Sequence, residues 1–262
     1  MTEERVALVT GAARGIGVAT VRELRSHGLR VVAVDSCLGD DREQTHVDYP
    51  LATRADLETL ASDTVSTLVA DVRDPHAMVG AAQHAVDSFG RLDVGVAAAA
   101  VIAGGRPLWE TPPADLDTLW QTDVLGVWHT ATAVVPHLLS GPDPSRCRFV
   151  AVASAAASEG LFHLAGYTTV KHAVLGLVRG LAADLTGTGV FAVAVSPEAT
   201  RTAMLDATVA LYGLDSSDPL AANLPGGRPY EPEEVAATVA RVCEVGGPEL
   251  NGAEVRVGQH LP

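Results

Sequence analysis

The stretch Thr10-Gly11-Ala12-Ala13-Arg14-Gly15-Ile16-Gly17 directly follows the apolar run Val-Ala-Leu-Val at 6–9, and Ile16, Ala19, Thr20 and Leu24 then recur at helical spacing over 16–26. This is strand, glycine-rich turn and helix. In such a turn the backbone N–H groups and the positive end of the helix dipole face outward together, ready to cradle a pyrophosphate, and glycine is needed where backbone must approach it. Working outward, 30–34 is a second apolar strand ending at Asp35, 65–70 a third, 75–89 a helix and 92–98 a fourth strand. The second half keeps the rhythm: helix 116–139, strand 148–154, helix 166–185, strand 190–195, helix 233–243 and strand 254–257. Strands alternating with helices predict a doubly wound α/β fold, a parallel sheet covered on both faces. No Pro/Ser-rich linker interrupts the pattern, so residues 1–262 read as one domain. Two stretches, 36–62 and 197–232, are long for connections, which in compact domains points to function or motion.

Composition narrows the chemistry. Hydrophobic residues are 47% and charged residues 19%, as in ordinary globular proteins. A formal net charge of −14 with no basic stripe excludes a nucleic-acid partner and reads as a solvated acidic surface. Cys37, Cys147 and Cys243 are odd in number and far apart, and no two of the nine histidines have metal-ligand spacing around a carboxylate, so neither disulfides nor a metal is expected. The start, Met-Thr-Glu-Glu-Arg, runs into the first strand without a signal-type segment, and the apolar run 95–105 is too short to span a bilayer. A cytoplasmic protein with no membrane partner is the expectation.

Six residues carry the candidate chemistry. Asp35, at the end of the second strand, is placed to accept hydrogen bonds from a ribose and to repel a 2′-phosphate, which predicts NAD over NADP. Asp71-Val72 ends the third strand at the same edge. Tyr167 and Lys171, four residues apart on one helix, share a face. A unit charge ~4 Å from a phenol at an effective dielectric of ~20 is worth about 4 kcal/mol, roughly three pKa units before desolvation, so Lys171 is expected to make Tyr167 a usable acid/base. Ser154, thirteen positions before Tyr167, ends the preceding strand, where its hydroxyl can meet the substrate oxygen. No Gly-x-Ser-x-Gly elbow points to a hydrolase.

In order and spacing, the 10–17 turn, Asp71, Ser154, Tyr167 and Lys171 resemble the short-chain dehydrogenase/reductase family. The resemblance covers essentially all of the chain, reaching Pro197 and Thr202 after the sixth strand and Asn251-Gly252 near the end. It implies a Rossmann-type sheet of roughly seven strands and hydride transfer between NAD and a small alcohol or carbonyl compound. By this resemblance Tyr167 is the catalytic acid/base, Ser154 orients the substrate oxygen, and Lys171 holds the ribose and lowers the tyrosine pKa. Gly11, Arg14, Gly15, Ile16 and Gly17 surround the pyrophosphate, Asp35, Asp71 and Val72 the adenosine, and Ala98, Ala99, Pro197, Thr200 and Thr202 complete the cofactor contacts. Segments 51–57 and 101–111, with the lengthened 35–71 interval, are similar to the actinobacterial mycofactocin-associated subgroup. That implies an insert at 36–62 over the cofactor edge, tightly held NAD and an external redox carrier. Family tetramers pair helices corresponding to 116–139 and 166–185, so a homotetramer is expected.

Three positions depart from the family pattern. Ala97-Ala98-Ala99-Ala100 stands where Asn-Asn-Ala-Gly is usual, removing a side-chain amide that ties strands together; Asp123 replaces the catalytic asparagine; and Pro197-Glu198 replaces Pro-Gly. A main-chain role would survive the change at 123. These departures keep two other readings open, an NAD-binding sensor or partner protein without turnover and a dehydratase or isomerase on the same scaffold; the intact Ser154, Tyr167 and Lys171 favour the oxidoreductase. Leu161, Phe162, Leu164, Trp109, Met204, Leu205 and Tyr212 predict an apolar substrate pocket, with 197–232 as its loop.

Overall fold

In the computed structural model, which describes residues 4–39, 41–222, 224, 226–244 and 247–258, the chain opens β1 (Val6–Thr10), α1 (Gly15–Ser26), β2 (Arg30–Asp35), α2 (Arg42–Thr45), α3 (Arg54–Glu58), β3 (Val65–Val69), α4 (Pro75–Phe89) and β4 (Val94–Ala97). It continues α5 (Pro113–Leu119), α6 (Gly126–Ser140), β5 (Arg148–Val152), α7 (Ala165–Asp184), β6 (Phe191–Ser196), α8 (Ala203–Leu211), α9 (Asp218–Ala221), α10 (Pro232–Glu244) and β7 (Glu254–Arg256). The strands form one parallel seven-stranded sheet in the order β3-β2-β1-β4-β5-β6-β7. The order reverses between β1 and β4, and the crevice at such a switch point, outside the carboxyl ends of the strands, is where open α/β sheets bind ligands.

Alternation along the strands explains why both faces are covered. Leu8, Val32 and Val34 join one core with Met78, Val134, Phe149 and Val174, beneath α4, α6 and α7. Their neighbours Val9, Val31 and Ala33 join the other with Val21, Leu24, Val235 and Val239 from α1 and α10. A period of two sends successive side chains to opposite faces, so a strand buried on both sides reads as an unbroken apolar run.

Three sequence expectations change here. The single helix expected over 116–139 is α5, then a π-helical turn at Trp120–Leu125, then α6. The turn brings Asp123 inward, where its carboxylate meets Val101 N–H and Lys171 rather than water. The strand expected to reach Ser154 stops at Val152, and Ser154 instead caps a 3-10 turn, Ala155–Ala157, accepting from Ala156 N–H at 3.2 Å. Neither long connection is irregular throughout: 36–62 contains α2 and α3, the latter opened by a Thr53/Asp56 capping box, and 197–232 contains α8 and α9.

Candidate active site

Two hollows meet over the carboxyl edge of the sheet. The first, about 970 Å3 with its open mouth included, is lined by Gly11, Arg14, Gly15, Ile16, Gly17, Asp35, Asp71, Val72, Ala98 and Ala99. The second, about 1010 Å3, is lined by Ser154, Tyr167, Lys171, Pro197, Glu198 and Thr200, with apolar walls from Ile102, Leu161, Leu164, Met204, Leu205 and Tyr212. Ile16, Ala98, Ala100, Thr202 and Met204 belong to both walls, so the two are continuous. Trp109 and Phe162 are exposed (83% and 73%) and lie off the second wall, contrary to the expectation for those two residues.

The glycine turn is shaped by close approach. Gly11 has φ +64, and a Cβ there would lie 2.7 Å from Ala99 Cα; a Cβ on Gly17 would strike the Gly11 carbonyl. Beside it the Thr10 hydroxyl accepts from the N–H groups of Ala98 (3.2 Å) and Ala99 (3.3 Å), tying β1 to the segment after β4. That tie is what the missing asparagine amide was expected to leave undone. Asp35 accepts from Ala13 N–H at 3.1 Å through one oxygen and from Cys37 N–H at 3.0 Å through the other, so the carboxylate is held at the cleft. The cations of this wall are occupied. Arg14 donates to the Pro50 carbonyl at 2.6 Å with its guanidinium 5.5 Å from the Tyr49 ring centroid. Arg73 forks the Asp71 carboxylate (Nη2 to Oδ2, 2.6 Å) and also donates to Gln44 O. Asp71 is thus on the wall but already paired, and Val72 O accepts from His129 Nδ1 at 2.9 Å.

On α7, Tyr167 and Lys171 face inward with 7% and 2% exposure. The Tyr167 phenol donates to Met204 Sδ at 3.9 Å, and the Ser154 hydroxyl stands near enough to pull the phenol pKa down. Lys171 Nζ stands 5.3 Å from the Tyr167 ring centroid and 3.0 Å from Asp123 Oδ2, while Asp123 Oδ1 accepts from Val101 N–H at 2.9 Å. Burial pushes the Tyr167 pKa up; Lys171 and Ser154 pull it down, Asp123 adds to the rise, and the net direction is upward. The expected depression by Lys171 is therefore present as one pull and outweighed by burial. Burial opposes the Lys171 charge, but Asp123 and Tyr167 turn its net shift upward; burial also raises Asp123, against the pull of Lys171.

Sequence reasoning passed over two residues of this region. Tyr49, from the 36–62 segment, packs with Val101, Ile102 and Tyr167, and its phenol oxygen accepts from Ile102 N–H at 2.9 Å; burial pushes its pKa up to about 12. Thr122 lines the first hollow. Neither has a local signal beyond its place in a long connection or helix. Pro197, Thr200 and Thr202 all reach the second wall, and Thr202 also caps α8 by accepting from Leu205 N–H at 3.3 Å. Among the described residues, no group of His, Cys, Asp and Glu is placed to hold a metal ion, and no helix is long and apolar enough to cross a membrane.

The family model for short chain dehydrogenases matches residues 5–211. The chain belongs to the short-chain dehydrogenases. A (−)-trans-carveol dehydrogenase of Rhodococcus erythropolis is 33% identical over 229 residues, covering 83% of this chain and 79% of that one. The crystal structure of a carveol dehydrogenase from Mycobacterium avium in complex with NAD superposes with a TM-score of 0.88 at 28% identity, covering 98% of this chain and 96% of that one. A short chain dehydrogenase from Mycobacterium paratuberculosis bound to NAD gives 0.83 at 28% identity, covering 98% and 97%. Within this dehydrogenase family the chain is an oxidoreductase with actinobacterial relatives.

Proposed function

We propose that this dehydrogenase transfers a hydride between NAD and a small, mainly apolar alcohol or carbonyl compound. The observation that carries the reading is that Ser154, Tyr167 and Lys171 share the wall of a largely apolar hollow that opens into the cleft of Asp35 and the glycine turn. Bound NAD supplies the hydride acceptor or donor. Tyr167 gives its phenolic proton to a carbonyl oxygen in reduction and takes it back in oxidation, and Ser154 donates a second hydrogen bond to that oxygen. The upward shift keeps Tyr167 protonated, the form reduction needs; Lys171 and Ser154 favour the phenolate that oxidation needs. The Asp35 carboxylate has acceptor capacity left beyond its two N–H partners for ribose hydroxyls, and Arg14 and Arg73 are committed elsewhere, so nothing on the wall compensates a 2′-phosphate.

The finer reading is a tightly held NAD reoxidised by an external carrier, as the mycofactocin-associated resemblance implies. Its support is the 36–62 segment, fastened across the cleft by Arg14 to Pro50, Arg73 to Gln44 and Ile102 to Tyr49. Cofactor absorbance followed with a panel of cyclic secondary alcohols, with and without an artificial electron acceptor, tests both. Turnover only with the acceptor supports the tightly held cofactor, whereas NAD bound without any turnover would favour a sensor. Tyr167→Phe is expected to lower turnover on the order of a thousandfold with NAD affinity nearly unchanged, and retained turnover would mean another acid serves. Titrating NAD and NADP into stripped protein checks Asp35; equal affinities would sink the preference.

A further inference from the structure

Glu198 follows Pro197 at the end of β6, where the family resemblance leads to glycine. It lies on the wall of the second hollow with Ser154, Tyr167 and Lys171. Apart from Lys171, which is paired with Asp123, the rest of that wall is apolar and hydroxyl-bearing side chains, so Glu198 brings it a negative charge that hydride transfer does not use. Among the described residues its carboxylate has no hydrogen bond or ion pair. The neighbours that would normally satisfy it are spent: Arg256 donates to Glu159 Oε1 at 2.9 Å, and the Ser158 hydroxyl donates to Glu254, 2.7 Å from Oε2. Three carboxylates, Glu159, Glu198 and Glu254, therefore share one guanidinium at this rim. Burial, then Glu159, hold the Glu198 carboxyl above the usual range against the pull of Arg256, so an incoming cation would relieve the strain on its anion.

We propose that Glu198 makes this hollow select alcohols or carbonyl compounds that carry a second group able to donate hydrogen bonds, above all an ammonium, and reject those that carry a carboxylate. The inference rests on the hydride-transfer reading of the same site. A charge on the wall of a half-enclosed apolar hollow is screened less than one in bulk water, so the sign of a substrate's charge is felt there. Glu198 is a specificity residue in this scheme and takes no part in proton transfer.

The test uses NAD-loaded full-length protein, its Glu198→Gln variant, which keeps the shape, and Glu198→Gly, which restores the small residue. The probes are cyclohexanols substituted across the ring, or one position nearer, with methyl, amino or carboxylate groups. In the native protein kcat/KM is expected to favour the amino over the carboxylate compound by at least about tenfold, and this ratio to fall below about threefold in both variants, each read relative to the methyl compound in the same variant. Calorimetric titration of the same compounds reads the charge preference without turnover. A binding preference for the amine that Glu198→Gln removes, with no alcohol oxidised, would overturn the hydride-transfer reading and keep the assignment of Glu198. A native protein with no amine preference in binding, or one equally strong in both variants, overturns the proposal.

Discussion

Asp123 illustrates how much one side chain decides here. Both of its partners are donors, Val101 N–H and Lys171 Nζ, and an ionised carboxylate offers acceptors only, so nothing at this position calls for the N–H of the asparagine it replaces. The side chain thus makes two contacts of its own, beyond the main-chain contribution that the resemblance implies. Its electrostatic consequence falls on Tyr167, whose pKa is raised by burial and further by the Asp123 charge. Oxidation needs the phenolate, so Asp123→Asn removes one obstacle to ionising it. The acid limb of the pH profile for alcohol oxidation is expected to move down by on the order of one pH unit, with activity kept. The competing effect is that Lys171, fully desolvated, loses the carboxylate that favours its charge. Removing one member of a buried pair is generally destabilising, although Asn keeps the acceptor for Val101. An optimum that stays put while activity collapses would show that the carboxylate is needed to keep Lys171 charged, and the assignment would be reversed.

At the scale of elements, the 36–62 segment behaves as a strap. It reaches the glycine turn at Pro50, the β3 edge at Gln44 and the segment after β4 at Tyr49. Tyr49→Phe leaves Ile102 N–H without its acceptor, and an unsatisfied donor in a partly buried place costs about 1–3 kcal/mol, so NAD release is expected to quicken by about tenfold or more. Stopped-flow displacement of bound NADH measures this, and a rate equal to that of the native protein removes the strap from the account. The sheet and the helices α1, α4, α6, α7 and α10 were legible because buried strands are apolar throughout and helices repeat at a longer period. Ser154, Tyr167 and Lys171 were legible as a spaced set. The place of the strap was implied by the resemblance, but its helices and fastenings were not legible, since α2 and α3 are too short to display a period and Arg14 meets Pro50 across 36 positions. The π-helical turn was equally hidden, because the apolar spacing of α5 continues into α6 and nothing marks the wider turn. The upward pKa of Tyr167 depends on how deeply the fold buries it, which spacing to Lys171 does not encode.

For the whole molecule the open question is what covers its apolar surface. Trp120 and Trp128 are 40% and 56% exposed, Leu116 and Leu139 expose further apolar surface along α5, the π-helical turn and α6, and Val79 adds to it from α4, which packs beside α6. On α7, Gly176 and Gly180 are exposed one turn apart with nothing within 4 Å of a Cβ built on either. Glycine inside a helix costs about 1 kcal/mol relative to alanine, and nothing in this chain requires it at those two places. Bare backbone on α7 and indole rings near α6 are what helices closing against copies of themselves would use, in keeping with the tetramer the family resemblance implies. A net charge of −14 on each copy opposes that approach, so salt should strengthen the assembly by screening it. Light scattering on the eluting protein is expected to give the mass of a tetramer, and Gly176→Leu or Trp128→Glu to lower it while circular dichroism stays native. A native protein that elutes as a monomer at every salt concentration would leave those glycines and indoles without this explanation, because no second copy would then be there to meet them.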